Sequence, residues 1–226
     1  GVRHNDIVSQ LIDARDRQTA APMPDRQLLD EIMTLIIAGH ETTASSLNWF
    51  WYLLSQAPDV AARLHAEVDA GEADAPGYDA LERLPFTRRA IDETLRLYPP
   101  GWLLTRRSIA EDTVGGMPMP PATDVLLSPY LVQRHPDHWP DPVRFDPDRF
   151  LPERTAGRNR FAYLPFGLGP RACIGEHLAL VEMHTHVATL ARRFALELVP
   201  GQIVEVEPQV NLRTRQPLRM IPRQRH

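Results

Sequence analysis

The single cysteine of the chain is the side chain best suited to chemistry. It lies in Phe166-Gly-Leu-Gly169-Pro-Arg171-Ala-Cys173-Ile-Gly175, directly before a stretch with a helical pattern. A sulfur at the start of a helix faces the positive end of the helix dipole, which favours the thiolate. Most lone cysteines are buried and inert. The glycines favour a close approach by something flat or bulky, so we interpret Cys173 as a ligand or a nucleophile.

The nucleophile interpretation requires a neighbouring base. His177 lies one helical turn from Cys173, within reach of that role. No signature of a cysteine hydrolase surrounds the pair, so the ligand interpretation is the stronger one.

Two pairs of histidines have spacings that occur in metal sites, His135/His138 and His184/His186. The first pair lacks carboxylates at suitable offsets, and two residues that are two apart on a helix point to different faces. We therefore expect these histidines to be solvated.

A polar interruption lies within a long apolar helical pattern. Ala38-Gly39-His40-Glu41-Thr42-Thr43 falls inside a helix predicted over 25–56. Glycine weakens a helix by about 1 kcal/mol relative to alanine, and threonine hydroxyls compete for backbone carbonyls. The interruption therefore indicates that something at this place compensates for the weaker helix.

These motifs together resemble those of the cytochrome P450 family. The loop at 166–175 matches that family's haem-binding pattern, Phe-x-x-Gly-x-Arg-x-Cys-x-Gly, at every defined position. The segment 38–43 resembles its oxygen-activation segment, and Glu93-x-x-Arg96 resembles its Glu-x-x-Arg helix. Arg149, in Phe145-Asp-Pro-Asp-Arg149-Phe150, matches the third member of that triad. The resemblance covers essentially the whole chain but only the carboxy-terminal half of the family fold.

The resemblance implies a haem b site around the cysteine loop. Cys173 is then the axial thiolate ligand of the iron, which pushes electron density onto the metal. Phe166 packs near the sulfur beside Gly167, and Arg171 contacts a haem propionate. Arg106 is a second candidate for a propionate, with its neighbour Arg107 as the alternative.

The same resemblance implies catalytic roles on the long helix. Ala38 and Gly39 leave room for a diatomic ligand, while Glu41 and Thr42 supply an acid and a hydroxyl for proton relay. The alternative, non-catalytic interpretation is that the Thr42 hydroxyl only donates a hydrogen bond to a backbone carbonyl of its own helix. Glu93, Arg96 and Arg149 are instead expected to form a buried structural network.

The implied activity is that of a haem-thiolate monooxygenase. It inserts one atom of dioxygen into an apolar small molecule, by hydroxylation or epoxidation, with electrons from NAD(P)H through a ferredoxin or a flavoprotein reductase. The expected substrate contacts are Leu35, Ala38, 101–104 and the tail near Leu212. Two alternatives stay open: a peroxide-using haem-thiolate enzyme, and an inactive fragment acting as a haem-binding or interaction module.

The elements that position these residues predict a mainly α fold with a small β region. The sequence indicates a long central helix at 25–56, a Glu-x-x-Arg helix at 87–97, a proline-rich meander at 134–165 and the haem-thiolate loop at 166–175. A final helix is predicted at 174–194, followed by a tail hairpin at 203–221 with strands at 203–206 and 218–221. Short strands between 103 and 127 are expected to turn at Gly115-Gly116.

The composition of the chain argues against some classes of binding partner. The chain has 226 residues, a net charge of −4 and no lysine, which argues against nucleic-acid binding and lysine-dependent chemistry. No apolar run is long enough to span a bilayer, so we expect a cytoplasmic protein. We also expect the missing amino-terminal half of the family fold to come from the same polypeptide. A docking face for an acidic redox partner and a scattered solvated face are equally open interpretations of five arginines, Arg88, Arg89, Arg154, Arg158 and Arg160.

Overall fold

The computed structural model of the protein describes residues 4–71 and 82–225. These residues fall into two compact units, one ending at Glu41 and one beginning at Thr42. The α-helices are α1 (Ile7–Asp13), α2 (Asp25–Gln56), α3 (Pro58–Asp69), α4 (Pro85–Leu97), α5 (Pro129–Val132), α6 (Pro152–Thr155) and α7 (Glu176–Arg193). Single 3-10 turns lie at Pro147–Phe150, Arg160–Ala162 and Gly169–Arg171.

The first unit contains α1 and the beginning of α2. Asp6 caps α1 by accepting a hydrogen bond from the Ser9 N–H at 2.7 Å, and Arg15 and Pro22 form an isolated bridge before α2. No described residue from 4 to 41 is buried. Several apolar side chains of α2 in this unit, including Met33 and Ile37, are exposed.

The second unit has its core where the later half of α2 meets α3, α4 and α7. Phe50, Leu64, Ile91 and Val187 are fully buried representatives of that core, one from each helix. Their helical spacing places the apolar residues of each helix on one face. This packing fixes α4, which carries the Glu-x-x-Arg motif, against α7, which follows the cysteine loop.

Helix ends follow local chemistry. The sequence predicts 25–56 for the central helix, and α2 runs from Asp25 to Gln56. The helix predicted at 87–97 begins earlier, at Pro85, because proline suits a first turn and the Glu67 carboxylate accepts the Phe86 and Thr87 N–H groups at 2.6 and 2.7 Å. The final helix, predicted at 174–194, begins at Glu176 because Gly175 is its N-cap.

The described strands form four antiparallel pairs. Between 104 and 127, β1 pairs with β4 and β2 pairs with β3 around Gly115-Gly116, the expected turn. Near the carboxy terminus, β5 pairs with β8 and β6 pairs with β7. The bounds are β1 (Leu104–Arg107), β2 (Asp112–Val114), β3 (Met117–Met119), β4 (Asp124–Leu127), β5 (Phe194–Leu198), β6 (Val206–Pro208), β7 (Leu212–Thr214) and β8 (Met220–Gln224).

The prediction of a tail hairpin at 203–221 is wrong in its pairing. The strand at Met220–Gln224 pairs with Phe194–Leu198, directly after α7, and not with residues near 203. Leu196 and Met220 both pack against the helical core. Burial of these side chains against the core favours that pairing over a local hairpin.

Among the described residues, no helix combines the length and apolarity that a membrane crossing requires.

Candidate functional site

The cysteine loop is closed by its own backbone. The Cys173 N–H donates to the Phe166 carbonyl at 2.9 Å, and the Gly167 N–H donates to the Leu164 carbonyl at 3.1 Å. A 3-10 turn at Gly169–Arg171 reverses the chain between them. These bonds fix the position of Cys173 immediately before α7.

Three glycines allow this loop shape. Gly167 and Gly169 have φ values of 68° and 77°, a left-handed backbone that disfavours other residues. Gly175 lies beside the sulfur, since a Cβ built there would stand 3.8 Å from Cys173 Sγ. The glycines predicted from sequence to permit a close approach thus shape the loop and flank the thiol.

Cys173 is an exposed free thiol. The neighbouring apolar side chains are exposed as well: Leu168 at 47% and Ile174 at 91%. Phe166, by contrast, is half-buried and packs against the helical core. The loop therefore presents the thiol together with two exposed apolar side chains and is anchored to the core by an aromatic ring.

Strand β1 begins next to the loop. A Cβ on Gly167 would lie 3.8 Å from Leu104 Cδ1. Alternate residues of a strand point to one face, so Arg106 shares the face of Leu104. Arg107 points to the other face, where its guanidinium holds Asp124 through two hydrogen bonds of 2.7 Å. The geometry favours Arg106 over Arg107 as the cation on the loop side of the strand.

Arg171 is the second cation of the loop. Its side chain is exposed and forms no salt bridge with any residue in the described ranges. Among the residues that the structure describes, Arg106 donates only to the carbonyl of Thr105, at 2.8 Å. Both guanidinium groups are therefore accessible to an external carboxylate.

The triad Glu93, Arg96 and Arg149 is assembled and buried. Arg96 Nε and Nη2 donate to the Glu93 carboxylate at 2.6 and 2.8 Å, and Arg149 Nε donates to it at 3.2 Å. Burial raises the pKa of the Glu93 carboxyl, and the hydrogen bonds and charges of the two arginines oppose that rise. A carboxylate with two buried guanidinium partners is a structural network.

The triad also holds the proline-rich meander. Arg96 Nη1 donates to the carbonyls of Gln133 and Pro142 at 2.7 and 2.8 Å, and Arg149 Nη2 donates to that of Asp141 at 2.6 Å. These donors satisfy carbonyls of an irregular segment that has few partners of its own. The meander is therefore fixed onto α4 by buried arginines.

One half-buried pair beside the triad belongs to none of the sequence motifs. The Tyr163 hydroxyl donates to the Asp92 carboxylate at 3.2 Å, and Arg88 Nε donates to the same carboxylate at 3.0 Å. Burial raises the pKa of Asp92 and raises that of Tyr163 well above its usual value. The partners lie 71 residues apart, so no local pattern could have indicated this contact.

The residues assigned to oxygen activation lie on α2. Ala38, Gly39 and Glu41 are exposed in the first unit. Thr42 is half-buried, and its carbonyl accepts a hydrogen bond from Ser46 Oγ at 3.0 Å. Within the described ranges, no atom outside the helix lies within 4 Å of a Cβ built on Gly39.

The tail near Leu212 is part of the core. The Leu212 carbonyl accepts hydrogen bonds from Ser45 Oγ at 2.7 Å and from Trp49 Nε1 at 2.9 Å, and its N–H donates to the Pro100 carbonyl. Its side chain is buried. Leu212 therefore ties the tail to α2 and to the double-proline turn.

One histidine departs from expectation. His184 is buried, with 6% exposure, and its Nε2–H donates to the Leu84 carbonyl at 3.1 Å. The prediction that it is solvated is wrong, because position 184 lies on the core face of α7. No cluster of histidine, cysteine or acidic side chains suited to a metal ion occurs in 4–71 or 82–225.

The arginines considered as a docking face for a redox partner mostly form pairs with nearby carboxylates. Arg88 pairs with Asp92, Arg89 with Asp148 and Arg154 with Asp146. Arg158 lies over the ring of Trp139, 4.3 Å from its centroid. Paired charges produce a weaker long-range field than free ones.

A separate cleft of about 720 Å³ lies in the meander. Its lining includes charged residues such as Asp137, Arg144 and Arg158. A lipophilic ligand prefers a mainly apolar lining, and Cys173 does not line this cleft.

Comparison with known proteins places these features in a family. The family model described as Cytochrome P450 matches residues 2–221. Cyclooctatin synthase of Streptomyces melanosporofaciens is 46% identical over 97% of this chain and 48% of its own length. Cyclooctat-9-en-7-ol 5-monooxygenase of the same organism is 43% identical over 89% of this chain and 44% of its own.

A solved structure shares the fold. Retinoic acid bound cyanobacterial CYP120A1 superposes with a TM-score of 0.94 at 32% identity, over 99% of this chain and 52% of that one. The chain belongs to the cytochrome P450 family, which confirms the resemblance and the mainly α fold predicted from the sequence. It spans about half the length of the curated relatives it matches.

Membership of this family implies a haem-iron cofactor, and the loop fits one. An iron porphyrin requires an axial donor, an apolar surface for its ring and cations for its two carboxylates. Cys173 is exposed between apolar neighbours, and Arg106 and Arg171 carry accessible guanidinium groups. The donor set and its surroundings therefore match the group.

Proposed function

We propose that this chain is the carboxy-terminal part of a single cytochrome P450 domain that works as a haem-thiolate monooxygenase. It inserts one atom of dioxygen into an apolar small molecule, by hydroxylation or epoxidation. The amino-terminal half of the domain is proposed to come from the same polypeptide, in keeping with the half-length match to the relatives.

One observation carries the proposal. Cys173 is exposed in a loop that its own N–H closes onto the Phe166 carbonyl, two residues before the Gly175 cap of α7. Inert structural cysteines are buried. A fixed, exposed sulfur within an apolar surface is suited to a large apolar metal complex.

The proposed cofactor is haem b. Cys173 would hold its iron, Arg171 and Arg106 its propionates, and the ring would lie against the apolar surface beside Gly167 and Leu104. When bound, haem supplies the redox chemistry that activates dioxygen, and a thiolate ligand favours O–O cleavage. Phe166 would limit water near the sulfur.

The long helix supplies the proton-handling groups. We assign Glu41 as the acid that takes up a proton at its carboxylate, and Thr42 as the hydroxyl that holds a proton at Oγ1. Ala38 and Gly39 contribute little side-chain volume, which leaves space for a small ligand. The proton would pass between adjacent residues of one helix.

The substrate is proposed to be a terpene-type apolar molecule. A relative 43% identical to this chain is named for oxygenation of cyclooctat-9-en-7-ol. Leu35, Ala38 and Leu104 are the apolar side chains proposed to contact the substrate. Leu212, which is buried in the core, acts at most by supporting them.

Electrons are proposed to come from NAD(P)H through a ferredoxin or a flavoprotein reductase. The acid and alcohol pair at Glu41 and Thr42 favours dioxygen over peroxide as the oxidant. Assays with peroxide alone and with NAD(P)H plus reductase separate the two oxidants.

The test uses the full-length polypeptide that carries this chain, loaded with haem. We expect the reduced carbon monoxide complex to show the spectrum of thiolate ligation, and Cys173→Ser to lose it along with oxygen insertion. Arg107→Gln is the matched control, because its side chain points away from the loop. Colourless protein after haem is offered, or full oxygen insertion by Cys173→Ser, would overturn the proposal.

A further inference from the structure

Gln133 is a fully buried polar side chain that no motif singled out. It lies at the C-cap of α5, between α4 and the segment leading into the cysteine loop, with 0% exposure. Its Nε2 donates to the carbonyls of Leu95 and Arg96, both at 3.0 Å. Its Oε1 accepts from the Leu164 N–H at 2.6 Å.

The partners fix the orientation of the amide. The carbonyls of Leu95 and Arg96 only accept hydrogen bonds, and the Leu164 N–H only donates one. A flipped amide would oppose acceptor to acceptor and donor to donor. The two carbonyls are among the last four of α4, which have no partner within the helix.

The backbone of Gln133 is held as firmly as its side chain. Its carbonyl accepts from Arg96 Nη1 at 2.7 Å, and its N–H donates to the Pro129 carbonyl at 2.8 Å. The amide therefore projects from a fixed point. A side chain can fix the position of its hydrogen-bond partner only when its own conformation is fixed. The hydrogen bonds of its backbone and its amide fix the conformation of Gln133.

The bond to Leu164 leads directly to the sulfur. The Leu164 carbonyl accepts from Gly167 N–H, and the next carbonyl but one, that of Phe166, accepts from Cys173 N–H. Both backbone groups of Leu164 are thus engaged, one by Gln133 and one by the loop. A continuous series of hydrogen bonds runs from α4 through Gln133 to the residue that carries the thiol.

We propose that Gln133 is a positioning residue that fixes the cysteine loop relative to α4. The proposal rests on the haem-thiolate function proposed above, because a fixed sulfur matters for its bond to iron. Gln133 acts through the Leu164 amide and does not itself contact the cofactor. The competing interpretation is that it only caps α4.

Two substitutions and a control separate these interpretations. Gln133→Met keeps the shape of the side chain and removes both ends of the bridge. Gln133→Glu keeps an acceptor for the Leu164 N–H and loses the donors to α4. Arg134→Met is the control, because Arg134 donates to the Leu97 carbonyl at the same end of α4 and stacks on Tyr98 and Tyr130.

The primary measurement is amide hydrogen exchange of 164–175 in the haem-loaded full-length polypeptide. We expect Gln133→Met to speed exchange there by about tenfold and Arg134→Met to leave it within about twofold of the parent. We also expect only Gln133→Met to lower the thiolate-ligated fraction of the reduced carbon monoxide complex. Equal effects of the two variants, or unchanged exchange in Gln133→Met, would overturn the proposal.

Gln133→Glu keeps the proposal testable if Gln133→Met does not fold. Retained protection of 164–175 in this variant supports positioning through the Leu164 amide, and lost protection contradicts it. A parent protein without thiolate ligation would instead refute the proposed function. The exchange comparison among the variants would still decide whether Gln133 holds the loop.

Discussion

At the scale of single residues, the strand beside the cysteine loop separates two adjacent arginines. Arg106 shares the face of Leu104, which contacts Gly167, while Arg107 is paired with Asp124 on the opposite face. The sequence alone left this choice open. Strand alternation and the salt bridge between Arg107 and Asp124 favour Arg106.

This assignment predicts unequal effects on haem retention. Arg106→Gln removes a charge-assisted hydrogen bond to a propionate, so we expect haem to dissociate about tenfold faster. Arg107→Gln removes only an exposed pair with Asp124 and should leave the rate unchanged. Transfer of haem to a colourless acceptor protein measures both rates. A larger effect from Arg107→Gln would reverse the assignment.

At the scale of elements, α4 holds the meander in place through its buried Arg96. Arg96 joins Glu93 to the carbonyls of the meander, and both side chains have no exposed surface. Removing Arg96 takes away the two shortest hydrogen bonds of the buried Glu93 carboxylate and the donor to the Gln133 and Pro142 carbonyls, and breaking a buried ion pair costs about 3 to 5 kcal/mol. We therefore propose that the Glu-x-x-Arg motif contributes to the stability of the fold and to the position of the meander.

We predict that Arg96→Ala reduces the amount of folded, haem-containing protein and does not merely slow the turnover of substrate. Urea unfolding should show a loss of about 3 to 5 kcal/mol, and the thiolate spectrum should disappear. Arg154→Ala, which removes an exposed pair with Asp146, is the control and should cost no more than about 1 kcal/mol. A normal thiolate–haem spectrum in Arg96→Ala would refute the structural role.

The elements also show what the sequence could and could not predict. The span of α2 and the cysteine loop follow from local patterns, since apolar spacing, caps and glycines act over a few residues. The pairing of β8 with β5, the burial of His184 and the bridge from Gln133 to Leu164 depend on contacts between residues that lie 22 to 100 positions apart. Tertiary packing decides such contacts, and no local pattern encodes them.

At the scale of the whole molecule, the buried His184 predicts that folding is sensitive to acid. Burial lowers the pKa of His184 on α7; its hydrogen bond to Leu84 and the charge of Glu67 oppose that shift, and Arg88 reinforces it. Partial burial lowers the pKa of His65, where the charge of Arg225 adds to the shift and that of Asp69 opposes it, and partial burial also lowers the pKa of His186. The folded protein therefore takes up these protons less readily than the unfolded chain.

The sign of the resulting pH dependence follows from linkage. An unfolded histidine titrates near pH 6.5, and the buried His184 titrates below that value. Between the two pKa values the unfolded chain binds more protons, so the free energy of unfolding falls as the pH drops below about 6.5.

His184→Gln keeps a donor for the Leu84 carbonyl and removes the titrating group. We measure the free energy of unfolding of this variant by urea denaturation from pH 8 to pH 5. In acid it should fall less steeply with pH than that of the parent, and the difference in slope should correspond to the uptake of at most about one proton. Above pH 7 the variant and the parent should have parallel curves, and an unchanged acid slope in the variant would contradict the role of His184.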